Sequence, residues 1–364
     1  MSNTSSTTDL LRSALAAIKD PLFDTDLVSL GYIKELRETG DEFVIELELP
    51  TPAHPHRFDL EAAIGEAVVK LGRTPKLLVS WNIVPRVPQG GRMSMVKNII
   101  AVAAGKGGVG KSTVATNLAL GLRRAGAKVG LLDADVYGPS VPTMMGPPEV
   151  AAGQKEGGKL TPGLHWGIEV MSVGFFVERD GAVVWRGPMI HKLLQQFLED
   201  VSWGELDYLV VDLPPGTGDA QLSLSQLIPI TGTVIVTTPQ EISLVDVVKA
   251  VSMLQKVNVP VLGVVENMSL YRCPACGHTD EIFSRGGGKV LARELKVEFL
   301  GELMIDPKVR YGGDTGRPVI VGAPDSENAQ RFATMARTVA GLLAKAAGPP
   351  NQAAKRPAGL VTIR

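Results

Sequence analysis

The sequence predicts an α/β protein: a doubly wound, mostly parallel sheet preceded by a small α+β domain. Three observations carry this reading. Short apolar runs recur with helical patterns between them across most of the chain, a Gly-rich turn joins one such run to an amphipathic helix, and 364 residues exceed one ordinary domain. The runs at 98–104, 128–132, 208–211, 234–237 and 261–265 are continuous rather than alternating. That is how strands read when helices cover both faces of a parallel sheet. With 45% hydrophobic and 21% charged residues the chain matches the globular average, so disordered, fibrous and membrane-spanning classes are excluded.

The elements follow in order. The Ser/Thr-rich start, 1–9, lacks the basic and apolar regions of a secretory signal, so a cytoplasmic protein is expected. A helical pattern at 10–18, an alternating strand at 43–49, a second helix at 59–71 and a strand at 76–83 make residues 1–85 a small α+β domain. Pro/Gly-rich sequence at 85–91 predicts a linker over 86–96. The large domain occupies 97–344, and its first helix carries Ala115, Leu118, Ala119 and Leu122 on one face. The segment 345–364, with Pro349, Pro350 and Pro357, has little periodicity and is expected to be a flexible tail. The apolar run at 99–104 is far short of the roughly 20 residues a membrane span needs, so no membrane partner is expected. A net charge of -1 with no basic run gives no footprint for nucleic acid.

Gly105-Lys106-Gly107-Gly108-Val109-Gly110-Lys111-Ser112-Thr113 fits G-x-x-x-x-G-K-[ST] and sits between an apolar strand and an amphipathic helix. Glycines let phosphate oxygens approach backbone N–H groups, and the helix start adds partial positive charge. ATP with Mg2+ is the expected ligand. Lys111 reaches the β- and γ-phosphates, Ser112 gives its hydroxyl to Mg2+, and Thr113 adds a donor. Two carboxylates follow at strand ends, where a doubly wound sheet presents its ligand site: Asp135 in Leu131-Leu132-Asp133-Ala134-Asp135, and Asp212 after Val210-Val211. We assign Asp212 to the magnesium shell and Asp135 to the attacking water of an ATP hydrolase. The Pro/Gly-rich segment 213–219 is a candidate switch that responds to the γ-phosphate.

Cys273 and Cys276 are the two cysteines of the chain, spaced C-x-x-C in a predicted loop. Three readings stand side by side: a redox dithiol, a zinc site with His278, and an iron–sulfur site. A strand-to-helix setting for a thioredoxin-like dithiol is missing, and His278 lies so close to Cys276 that a zinc knuckle would be strained. A closed all-thiolate site needs four thiolates, hence a second subunit.

These motifs, with Leu131 to Ser140 (L-L-D-A-D-V-Y-G-P-S), Val211 to Asp219 (V-D-L-P-P-G-T-G-D) and Glu266 to Gly277 (E-N-M-S-L-Y-R-C-P-A-C-G), resemble the Mrp/ApbC family of iron–sulfur cluster carrier ATPases over about 95–340. The loop with its extra lysine is similar to the deviant Walker A loop of the dimerising ATPases that also include MinD and nitrogenase iron protein. The resemblance implies a slow ATPase that is a homodimer, holds a [4Fe–4S] cluster between two C-x-x-C pairs, and delivers it to apo iron–sulfur proteins. It further implies that Lys106 reaches the partner's nucleotide and that Asn267 recognises a base edge. The N-terminal domain is similar to the small iron–sulfur assembly module, which often has a cysteine where His54 stands near Thr51-Pro52. Two other functions are open to the loop: a MinD-like positioning switch, which calls for an amphipathic membrane helix, and a kinase, which calls for an acceptor pocket.

Overall fold

The computed structural model describes residues 7–353 apart from 89, 91–92, 137, 155–157, 177–194, 196, 198–199 and 217. Parts of the expected linker and tail, and single positions of the Leu131 to Ser140 and switch segments, therefore lie outside the described residues. The chain divides into two units, Met1–Val84 with Ala340–Arg364, and Pro85–Val339.

In the smaller unit, α1 (Thr7–Leu15) buries Leu11 and Leu15, four residues apart on one helical face. Strands β1 (Ile33–Thr39) and β2 (Glu42–Leu49) form an antiparallel hairpin. After α2 (Arg57–Lys70), β3 (Thr74–Trp81) returns parallel to β2. Strict alternation in β2 buries Phe43, Ile45, Leu47 and Leu49 under the helices, while the opposite face is partly open. His54 is fully buried here. Its Nε2 lies 3.2 Å from Asp20 Oδ2, which also accepts the Tyr32 hydroxyl at 2.8 Å. The His56 amide donates to His54 Nδ1, so the ring proton sits on Nε2 and points at Asp20. Burial alone would raise the Asp20 carboxyl; the hydrogen bonds from His54, the Leu22 amide and the Tyr32 hydroxyl outweigh it and hold the carboxyl below its ordinary range. His54 thus belongs to the core of this unit.

The larger unit is built on an eight-stranded sheet. In chain order its strands are β4 (Val96–Ala104), β5 (Val129–Asp133), β6 (Gly163–His165), β7 (Ile168–Ser172), β8 (Leu206–Asp212), β9 (Gly232–Thr237), β10 (Val261–Glu266) and, after the short pair β11 (Tyr271–Arg272) and β12 (Thr279–Asp280), β13 (Glu298–Glu302). The spatial order is β6-β7-β5-β8-β4-β9-β10-β13, and only the edge pair β6/β7 is antiparallel. Helices α3 (Lys111–Arg124), α4 (Asp219–Leu227), α5 (Glu241–Lys256) and α6 (Gly287–Glu294) alternate with the strands. A doubly wound, mostly parallel sheet is what the apolar runs predict, and the buried face of α3 includes Ala115, Leu118, Ala119 and Leu122.

The last long helix, α7, covers Glu327–Ala347 and is followed by a short turn of helix at Pro350–Ala353. The segment expected to be a flexible tail from Lys345 thus begins helical. Ala346 and Ala347 simply extend the strongly helical run before them, and Gly348, at φ +89°, ends it. Among the described residues no helix is long and apolar enough to cross a membrane.

Candidate functional site

Parallel strands send their carboxyl ends to one edge, so the loops after β4, β5 and β8 meet there. The loop after β4 runs from Gly105 to Gly110, where Gly110 takes φ +89° as the residue before α3 and Gly108 takes φ +81°. Side chains in that conformation are strained, which is why the turn demands glycine. β-Carbons at Gly107 and Gly108 would meet only open space, leaving their backbone free to be approached by a ligand. Gly105 is constrained differently, since a β-carbon there would strike the backbone of Asp246 on α5.

Sheet register decides what faces this loop. Asp212 at the end of β8 is opposite Val102 of β4 on one side and Asp133 of β5 on the other. Both carboxyls are fully buried. Lys111, the first residue of α3, folds down onto Asp212, with Nζ 2.6 Å from Asp212 Oδ1 and 3.5 Å from Asp135 Oδ2. The second Asp212 oxygen, Oδ2, is buried with no hydrogen-bond partner. A buried acceptor without a partner calls for a cation or a hydrogen-bonded water, and beside the Ser112 hydroxyl it fits a hard divalent ion. Burial pushes the Asp212 carboxyl up, and the Lys111 ammonium pulls it back.

Asp133 is the buried acid beside this site that sequence reading left without a role. It accepts from the Ser172 hydroxyl at 2.9 Å and from the Asp135 and Val141 amides. Burial, then the charge of Asp212, raises its carboxyl to about 7. The available signal was its place at the end of an apolar strand, two residues before Asp135. Lys106 is half-buried and makes no ion pair among the described residues. Thr113 accepts the Asn117 side-chain amide with its backbone carbonyl. In the expected switch segment the Gly216 amide donates to Ala104 O at 3.0 Å, tying that segment to the base of the loop.

Asn267 follows β10. The structure places its side chain on the phosphate loop itself, with Nδ2 donating to Val109 O at 2.8 Å and Oδ1 accepting from the Met268 amide. The cysteine pair lies apart, in the knuckle between β11 and β12. There the Cys273 amide donates to His278 O at 2.8 Å and the Gly277 amide to Cys273 O at 2.9 Å, with Gly277 at φ +74°. Cys276 is exposed and Cys273 half-exposed, both as free thiols. Backbone N–H groups of Cys276 and Ala275 hold the Cys273 thiol below its ordinary range, which favours the thiolate. No group of three or more metal-ligating side chains occurs among the described residues, so the pair has no local third ligand.

A family model described as NUBPL iron-transfer P-loop NTPase matches residues 95–340, and one described as iron-sulfur cluster assembly protein matches residues 9–75. An iron-sulfur cluster carrier protein of Deinococcus radiodurans is 45% identical over 335 residues, covering 92% of this chain and 95% of its own. The iron-sulfur cluster carrier protein of Escherichia coli strain K12 is 41% identical over 340 residues, 92% of each. Among solved structures, a nucleotide-binding protein from Archaeoglobus fulgidus in complex with ADP is 40% identical with a TM-score of 0.57, covering 66% of this chain and 94% of that one.

Proposed function

This chain belongs to the iron-transfer P-loop NTPase family, and from that premise we propose that it is an ATP-dependent carrier of iron–sulfur clusters. The observation that carries the reading is the knuckle at Cys273 and Cys276: two free thiols, one exposed and one half-exposed and drawn toward the thiolate, on a nucleotide-binding scaffold. A chain with two cysteines supplies half of a four-thiolate site. We therefore read the cargo as a [4Fe–4S] cluster held across a two-fold axis by two chains, then passed to apo iron–sulfur proteins. Relatives at 41–45% identity are cluster carriers over nearly their whole length, which sets aside the positioning-switch alternative.

In the nucleotide site the resting pair of Lys111 and Asp212 separates when phosphate enters, because Lys111 exchanges one anionic partner for another. Ser112 and the buried Oδ2 of Asp212 would hold Mg2+, which would supply positive charge to the phosphates. Asp135, already beside Lys111, orients the attacking water, and Lys106 reaches the nucleotide of the partner subunit. Hydrolysis depends on that partner, which fits a slow ATPase acting as a switch on cluster release. Free thiols in a Cys-poor chain suit a reducing compartment, and we place the protein in the cytoplasm.

Reconstitution with iron and sulfide under anaerobic conditions tests the reading. The wild-type chain should take up about four iron per dimer, and Cys273→Ala should lose the cluster absorption. Unchanged iron content and spectrum in that variant would refute the assignment.

A further inference from the structure

The residues that leave β10 tie the phosphate loop to the cysteine knuckle. Asn267 Nδ2 donates to Val109 O, and a trans peptide points its N–H opposite its carbonyl, so this bond also sets where the Gly110 N–H is aimed. Gly110 makes the contact possible, because a β-carbon there would collide with Nδ2. The other end of the same side chain accepts from the Met268 amide and holds Met268 at φ +59°, a turn that non-glycine residues rarely take. Beyond the turn the chain is zipped to the strand end opposite. The Ser269 amide and hydroxyl both donate to Leu303 O, and the Ile305 amide donates to Leu270 O. Tyr271 follows, and Cys273 two residues later.

The return limb is anchored by the preceding residue. Glu266 is fully buried, and its two carboxylate oxygens accept the Gly286 and Gly288 amides at 2.8 and 2.6 Å, at the start of α6. Ion pairs Arg272–Glu327 and Arg285–Glu302 brace the two limbs from outside. Two consecutive residues therefore hold both limbs of segment 271–286, and one of them also holds the loop that wraps phosphate.

We propose that Glu266 and Asn267 form a relay coupling occupancy of the phosphate loop to the setting of the cysteine knuckle, with Asn267 as the positioning residue on the loop side. A phosphate that draws the Gly110 N–H moves the Val109 carbonyl with it. The pull reaches Asn267, then Met268, then the knuckle. The inference rests on the carrier reading for its purpose but not for its geometry.

Hydrogen–deuterium exchange on the full chain, with and without a non-hydrolysable ATP analogue and Mg2+, is the test. In the wild type, analogue should protect 107–113 and also change exchange in 271–286 by about fivefold or more, the low end of coupling between linked sites. Asn267→Asp keeps the acceptor for Met268 and replaces the donor facing Val109 O. It should keep loop protection at saturating analogue while the change in 271–286 falls below about twofold. Asn267→Ala, which severs both ends, should behave likewise. The relay is overturned if 271–286 does not respond in the wild type, or responds equally in the variants while analogue affinity alone weakens, as a base-recognising residue would give. If the variants lose loop protection, Glu266→Gln, which touches only the return limb, must itself reduce the response of 271–286, and an undiminished response refutes the relay. Iron uptake by the wild type is read separately, so failure of the carrier reading leaves this outcome legible.

Discussion

Lys111→Met should destabilise the unliganded protein more at pH 7.5 than at pH 5.5. The substitution keeps most of the side-chain volume and deletes the ammonium that sits 2.6 Å from the fully buried Asp212. Removing one partner of a buried ion pair costs about 3–5 kcal/mol. In a unit of this size, each kcal/mol lowers Tm by roughly 2–4 °C, so a fall of roughly 10 °C is expected. The cost has an upper bound, because an unpaired carboxyl can take up a proton instead. Burial already raises both Asp212 and Asp133, and loss of the cation raises them further. An acid whose folded pKa lies above its unfolded value destabilises increasingly as pH climbs between the two. Two pH units are worth up to about 2.7 kcal/mol per proton, so the deficit at pH 5.5 should be smaller by that order. Thermal melts of both proteins without nucleotide at the two pH values measure it. An equal deficit at both, or a larger one at pH 5.5, would refute the idea that Lys111 is the counter-charge of a buried acid pair.

Asp133 gives a second pH effect. Its folded pKa of about 7 lies above the unfolded carboxyl value of about 3.9, so apo stability should fall as pH rises between them, by a few kcal/mol at most. Asp133→Asn should flatten that slope in melts from pH 5 to 7.5; Asp20, whose pKa is lowered, contributes in the opposite sense and only below about pH 4. Gly110→Ala forces a side chain into φ +89° and onto Asn267, which should cost about 1–2 kcal/mol in backbone strain alone and weaken ATP about tenfold or more in a fluorescent-nucleotide titration. His54→Ala removes a donor to a buried carboxylate in the smaller unit, and a loss of about 2 kcal/mol should appear in denaturant unfolding. A neutral His54→Ala would mean the Asp20 cluster is not structural.

The central strands of the large sheet were legible because burial on both faces leaves no room for alternation. Leu209, Val210 and Val211 are all fully covered, and so are Val234 to Val236. The peripheral strands were not. β1 reads Ile-Lys-Glu-Leu-Arg-Glu-Thr and is mostly exposed, so its pattern carries no continuous apolar run. β6 has three residues, and β13 has a glutamate at each end with its core-facing side reduced to Leu300. Their strand character comes from the neighbour they pair with, which sequence does not state. The phosphate loop was legible for the opposite reason: φ above zero at Gly108 and Gly110 leaves glycine as the residue that fits.

What the motifs left out is the resting state of the site, because its partners are far apart in sequence. Lys111 meets Asp212 across 101 positions, and Asn267 meets Val109 across 158. Both meetings are fixed by sheet register. The same register sets Asp133 opposite Asp212 on adjacent parallel strands, which no local spacing reveals. Three buried carboxylates, Asp133, Asp135 and Asp212, lie around one ammonium there, and a single positive charge cannot neutralise all of them. Asp212, at 2.6 Å from Lys111, holds the ion pair. Asp133 accepts the Ser172 hydroxyl and two amides, which favour its charge, while burial and the charge of Asp212 outweigh them and raise its carboxyl to about 7. The motif thus identifies the acids, while register sets them side by side, where the charge of Asp212 raises the Asp133 carboxyl.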